Sequence, residues 1–274
     1  MTFINPKTDL AFKKIFGSKK SKEILISFLN AILYQEQEMI QDLEILDPYQ
    51  SPRIQGIKDS YLDVKAVITG NKTVIIEMQV LNVLGFEKRV LYNAAKAFSI
   101  QLGVGEDYNL LNPVIALTIT DFEMFANSAK VISRYCLKEK ETLTDYTDDI
   151  ELVFVELPKF NKTLEESETL TDKWLYFLKF ANTLKDVPPP MATIPPLKQA
   201  FTIARQSKLT KRELEALEKR EIFIQDSQNA IRKAKLDGMQ EKAIAIAREL
   251  LDVLDIETIS QKTGLSIAEI QDLT

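Results

Sequence analysis

The chain has 274 residues, 45% of them hydrophobic, enough to bury one substantial core and carry a smaller appended unit. It contains no histidine and one cysteine, Cys136, so histidine general bases, histidine-based metal sites, multi-cysteine zinc sites and internal disulfides are excluded within one chain. The net charge of −5 is local in origin, because residues 136–172 hold four Lys against eleven Asp and Glu and the remainder sums to +2.

In chain order, apolar residues at spacings of three and four predict helices over Asp9 to Phe16 and Ser21 to Leu33, interrupted near Gly17-Ser18. Thr8 and Asp9 can cap the first helix, and Asp9 can equally be a site carboxylate carried by it. Lys13, Lys14, Lys19, Lys20 and Lys22 form a cationic cluster that suits phosphate contacts or a solvated helix face. Residues 42–47 read as a strand before Pro48.

The next stretch carries the chemistry. Residues 62–68 and 74–80 read as two buried strands joined at Thr69-Gly70-Asn71-Lys72, yet Asp63 and Glu77 place carboxylates inside them, where an uncompensated charge is costly. Side chains alternate along a strand, so Val64, Ala66 and Ile68 share a face that excludes Asp63 and Lys65, and Val74, Ile76 and Met78 share one that excludes Glu77 and Gln79. Burying the two apolar sets together requires even positions to face even positions, which a turn of three or five residues gives and a two-residue turn does not. That register gathers Asp63, Lys65, Glu77 and Gln79. Two carboxylates in one place suit a hard cation such as Mg²⁺, which needs one or two of them beside its waters and a substrate phosphate.

A helix is predicted from Phe86 to Leu102, with Arg89, Tyr92, Lys96 and Ser99 along one face, a row suited to a phosphate backbone or to solvent. Pro113 to Thr120 reads as a buried strand, Val131 to Leu137 and Ile150 to Leu157 extend the sheet, and Cys136 reads as an ordinary core or strand residue. Helix returns around Trp174, Phe177 and Phe180. The Pro-rich residues 187–196 read as an extended spacer, dividing residues 1–186 from a helical region, 197–274, with Gly238 a possible break and two short helices near the end. Those C-terminal helices suit packing or a homodimer. No run of about eighteen apolar residues exists, and the N-terminus lacks a secretory layout, so a cytoplasmic chain with no membrane partner is expected.

Taken in order, Thr8-Asp9-Leu10-Ala11-Phe12-Lys13-Lys14-Ile15-Phe16-Gly17, Phe28-Leu29-Asn30-Ala31-Ile32-Leu33, Ile76-Glu77-Met78-Gln79, Arg89-Val90-Leu91-Tyr92, Asn112-Pro113-Val114-Ile115 and Glu156-Leu157-Pro158-Lys159-Phe160 resemble the recombination-promoting nuclease and putative transposase family, a branch of the PD-(D/E)XK nucleases. The resemblance covers roughly the first 200 residues. It implies an α/β, restriction-endonuclease-like core of helix, three strands, helix and strand, with an extended sheet and a helical C-terminal tail. It also implies Mg²⁺-dependent cleavage of DNA, with Mn²⁺ as an alternative ion. Asp63 and Glu77 match the metal-binding acids, with the Met78 carbonyl as a further ligand, and Gln79 stands where lysine is usual. Arg89, Lys96 or Lys65 would then supply the missing charge, Asp9 and Tyr92 would complete the catalytic set, and Lys13, Lys14, Arg89 and Lys96 would hold the DNA. Three other readings compete: a strand transferase using Asp63, Asp121 and Glu151, a nuclease fold that binds DNA without cutting, and a protein-interaction module with edge-exposed acids.

Overall fold

The computed structural model describes residues 3–50 and 60–273. Its elements are α1 (Asp9–Phe16), α2 (Lys22–Tyr34), β1 (Leu43–Leu46), β2 (Tyr49–Gln50), β3 (Ser60–Tyr61), β4 (Val64–Ile68), β5 (Lys72–Gln79) and α3 (Phe86–Ser99). There follow β6 (Val114–Thr120), β7 (Ile132–Lys138), β8 (Asp145–Glu156), α4 (Leu170–Phe180), α5 (Pro189–Ala192), α6 (Pro195–Ala204), α7 (Lys211–Leu250), α8 (Ile256–Thr263) and α9 (Ile267–Gln271). The main sheet has the order β1-β4-β5-β6-β8-β7, while β2 and β3 pair separately. β5, β6 and β8 run parallel, and the flanking pairings are antiparallel.

Alternation in β4 produces its pattern of buried and half-buried residues, whereas the central parallel strand β6 is buried throughout because helices cover both its faces. On one face Val64, Ala66, Val74, Ile76 and Ile119 join Phe12, Phe16, Phe28, Trp174, Phe177 and Phe201 in the larger core. On the other, Ile75, Val114 and Ala116 pack against Ala94 and Ala97 of α3. The β4–β5 register pairs Val64 with Ile76 and Ile68 with Lys72, leaving the three-residue turn Thr69-Gly70-Asn71 that the parity of the apolar sets requires. Gly70 and Asn71 take the positive φ of 80° and 59° that such a turn needs.

The Pro-rich segment is not a spacer. Pro189 and Pro195 stand at the starts of α5 and α6, where proline's fixed φ favours a helix and its missing N–H costs nothing. Met191, Leu197, Ala200, Phe201 and Ala204 are fully buried in the larger core, Ile4 donates its backbone N–H to the Ala204 carbonyl at 2.8 Å, and Phe3 packs edge-on to Phe201 at 5.0 Å. The chain instead divides inside α7, into Met1–Arg220 and Glu221–Thr274. α7 passes unbroken through Gly238. In the second unit Ala247, Ile259, Leu265 and Ile270 close a small core, Gly264 ends α8 at φ 76°, and Ser266 with Glu269 forms a capping box for α9. Cys136 is a strand residue of β7 but exposed, because β7 is an edge and its outer half leaves the core. Among the described residues no helix is long and apolar enough to cross a membrane.

Candidate active site

Asp63 lies at a bend just before β4, across from the end of β5, which bears Glu77 and Gln79. One Asp63 oxygen, Oδ2, accepts from the Met78 backbone N–H at 2.8 Å, and the other, Oδ1, lies 3.4 Å from Lys13 Nζ of α1. Glu77 meets α3 instead. Arg89 Nη2 donates to Glu77 Oε1 at 2.6 Å and to Gln79 Oε1 at 2.7 Å, so one guanidinium nitrogen ties the acid to the amide two residues on. Asn93 Nδ2 makes a long contact of 3.5 Å to Glu77 Oε2, and Gln79 Nε2 donates to the Leu81 carbonyl at 2.7 Å. The Arg89 guanidinium lies 5.0 Å from the centroid of the Phe86 ring, and its Nε–H has no acceptor among the described residues.

Burial pushes the Asp63 carboxyl above the ordinary range, with the Asp9 charge pushing the same way, while the Met78 N–H and Lys13 oppose the shift. Burial likewise raises Glu77, aided by the charge of Asp63 and opposed by Arg89 and Asn93. The Asp63 charge thus reaches Glu77. Each therefore loses its proton at a higher pH than an ordinary carboxyl does. Divalent-ion binding at this pair is expected to weaken on acidification before an exposed carboxylate would titrate, which Mn²⁺ titrations between about pH 5 and 8 measure. Affinity that stays flat across that range would contradict it.

The other expected residues are less uniformly placed. Thr8, not Asp9, caps α1, through a 3.4 Å contact from the Ala11 N–H to its hydroxyl. Asp9 is left to pair with Arg220 at 3.1 Å while still acting on Asp63. Tyr92 lines a cleft with Glu77, Arg89 and Asn93. Burial lowers the pKa of Lys65, and the carboxylate that acts on it is Asp47. Lys96 is buried, with its ammonium 2.9 Å from the Gln50 carbonyl, so it offers no charge to a DNA surface. Lys14 forms an ion pair with Glu213. Of the expected phosphate-binding cations, Lys13 and Arg89 therefore stand at the acids.

Sequence spacing missed Lys7, which holds both oxygens of Asp121 at 3.0 and 2.9 Å. The Asp121 backbone N–H donates to the Gln79 carbonyl at 3.0 Å, so this ion pair adjoins the same strand end. No local pattern could reveal it, since 114 positions separate the partners. The strand-transferase arrangement is not assembled: Asp121 belongs to Lys7, and Glu151 pairs with Arg134 at 3.1 Å. The protein-interaction reading of edge-exposed acids also fails, because Asp63 and Glu77 are both mostly buried.

A helical layer, three strands, a helix and a parallel strand, with an acid at the entry to one hairpin strand and another near the end of its partner, define a PD-(D/E)XK nuclease-like protein. The sequence profile of the PD-(D/E)XK nuclease family transposases matches residues 6–234, and the chain belongs to that family. No curated protein and no solved structure matches it. The family implies a divalent metal, and among the described residues no group of three or more His, Cys, Asp or Glu side chains is arranged to hold one. The donor set nevertheless fits Mg²⁺, whose usual protein share is one or two carboxylates. Asp63 and Glu77 would supply these, both mostly buried and with the Asp63 charge raising Glu77, which a cation would relieve.

Proposed function

We propose that the chain is a metal-dependent DNA endonuclease that hydrolyses phosphodiester bonds in the cytoplasm during recombination or transposition. The observation that carries this reading is the placement of two mostly buried acids at one end of the hairpin, Glu77 tied by Arg89 to Gln79 and Asp63 beside Lys13. Asp63 and Glu77 would hold the metal, with the Met78 carbonyl as a further ligand. A bound Mg²⁺ supplies Lewis-acid neutralisation of phosphate charge and a more acidic water. Gln79 fixes one amide hydrogen on Leu81 and one lone pair on Arg89, which leaves a lone pair and a hydrogen to orient the attacking water. Arg89 replaces the usual lysine. It brings positive charge to that position. Lys13 adds cationic field on the α1 side, and Tyr92 shares the cleft with Glu77. The family's nuclease chemistry supports DNA as substrate; nothing in the structure supports the homodimer expected from the C-terminal helices.

Exchanging the charge carriers tests the assignment. Arg89→Ala is expected to cut plasmid nicking by about 10²–10³-fold, the usual cost of losing one preorganised donor to developing charge. Gln79→Lys, with Arg89 intact, is expected to change it only a few-fold. A harmless Arg89→Ala together with a strongly activating Gln79→Lys would remove Arg89 from the mechanism. A second reading, DNA binding without cleavage, draws on the two acids being already paired with Lys13 and Arg89. It predicts no nicking at any Mg²⁺ or Mn²⁺ concentration.

A further inference from the structure

Beside Glu77 the surface opens into a cleft of about 590 Å³, a size typical of small-ligand sites. Lys88 and Arg89 bring positive charge to its wall, but aromatic and apolar side chains make up much of the rest. Tyr61 is 72% exposed, Leu84 is fully exposed, Val83 and Tyr92 are each 39% exposed, and all four line the cleft. Tyr61 is held by stacking on Tyr49, with centroids 4.9 Å apart and planes 35° from parallel, so its ring is positioned without being buried. Arg89 links this wall to the acids through Glu77. The cleft therefore offers flat aromatic and apolar surface within one side chain of the carboxylate pair.

We propose that this cleft seats one unpaired nucleobase of a DNA strand, adjoining the phosphate at Asp63 and Glu77. Only the position of that phosphate rests on the nuclease reading. Aromatic rings bind bases by stacking, and every base has a face to offer. In an intact duplex those faces are already covered by neighbouring bases. Tyr61 and Leu84 can then be used only by a base that is unstacked or everted, and eversion is easiest where the base lacks a partner. The substrate class is DNA with an unpaired nucleotide: a bulge, a gap, a frayed end or a single strand.

Binding tests this without cleavage. The probes are two DNA duplexes, identical except that one carries a single bulged 2-aminopurine, titrated with the full chain in EDTA and followed by anisotropy and by 2-aminopurine emission. The bulged duplex is expected to bind about tenfold more tightly or better, with its emission quenched by stacking. Tyr61→Ala should abolish both the preference and the quenching, and Tyr61→Phe should keep them, since stacking needs no hydroxyl. Leu84→Ser should reduce the preference. Equal affinity of the wild-type chain for the two duplexes, or an equal loss on both with Tyr61→Ala, overturns the proposal. Preference without any plasmid nicking would retire the nuclease reading and leave this site standing, and nicking without preference would do the reverse.

Discussion

Asp63→Asn and Glu77→Gln are each expected to reduce divalent-dependent nicking by about 100-fold or more while raising the melting temperature at neutral pH by about 2–4 °C. Each acid carries a raised pKa caused first by burial, so the folded state binds protons more tightly than the unfolded chain does. Stability contributed by this pair is therefore present at low pH and is lost as the pH rises through the folded pKa values, leaving a cost at neutrality. The amide variants remove that cost. Asn at position 63 keeps an oxygen for the Met78 N–H, so the hairpin contact survives. The stability gain should also shrink as the pH falls toward the ordinary carboxylate range. Melting curves across pH check this, and a variant that is both inactive and destabilised at pH 7 would mean the acids are structural.

A chain ending at Asp186 is expected to lose cooperative folding, while one ending at Arg220 should keep it. The shorter chain lacks Met191, Leu197, Ala200, Phe201 and Ala204, all fully buried, and strands Phe3 and Phe177, which pack on Phe201 at 5.0 and 4.8 Å. Removing one buried Phe side chain alone costs about 3–5 kcal/mol, against a typical total stability of about 5–15 kcal/mol. Removing all of α5 and α6 exceeds that margin. Thermal melts by circular dichroism decide it, and a sharp transition in the chain ending at Asp186 would mean that the first unit's core does not need α5 and α6.

How much was legible in the sequence follows from the range of the forces involved. The β4–β5 register was readable because side-chain alternation is local and parity admits few turn lengths. Alternation also brought Asp63, Glu77 and Gln79 to one end of the hairpin. The Pro-rich segment misled because the ring that forbids a helix interior favours its first turn, and composition does not say which applies. Lys96 shares its helical spacing with Arg89 and Tyr92, yet its burial depends on the Gln50 carbonyl, contributed by an element 46 positions away. Lys14 meets Glu213 across 199 positions and Lys7 meets Asp121 across 114. Such pairings come from tertiary packing, and no periodicity encodes them.

We propose that Asp63 and Glu77 hold a metal that assists DNA cleavage. This is tested most directly by following conversion of supercoiled plasmid to nicked circles by the purified chain, with Mg²⁺, with Mg²⁺ plus excess EDTA, and with the doubly substituted Asp63→Asn, Glu77→Gln chain. Nicking with Mg²⁺ alone, abolished by EDTA and absent from the double variant, is the predicted result. Nicking that persists unchanged in EDTA, or that survives both substitutions, would contradict it.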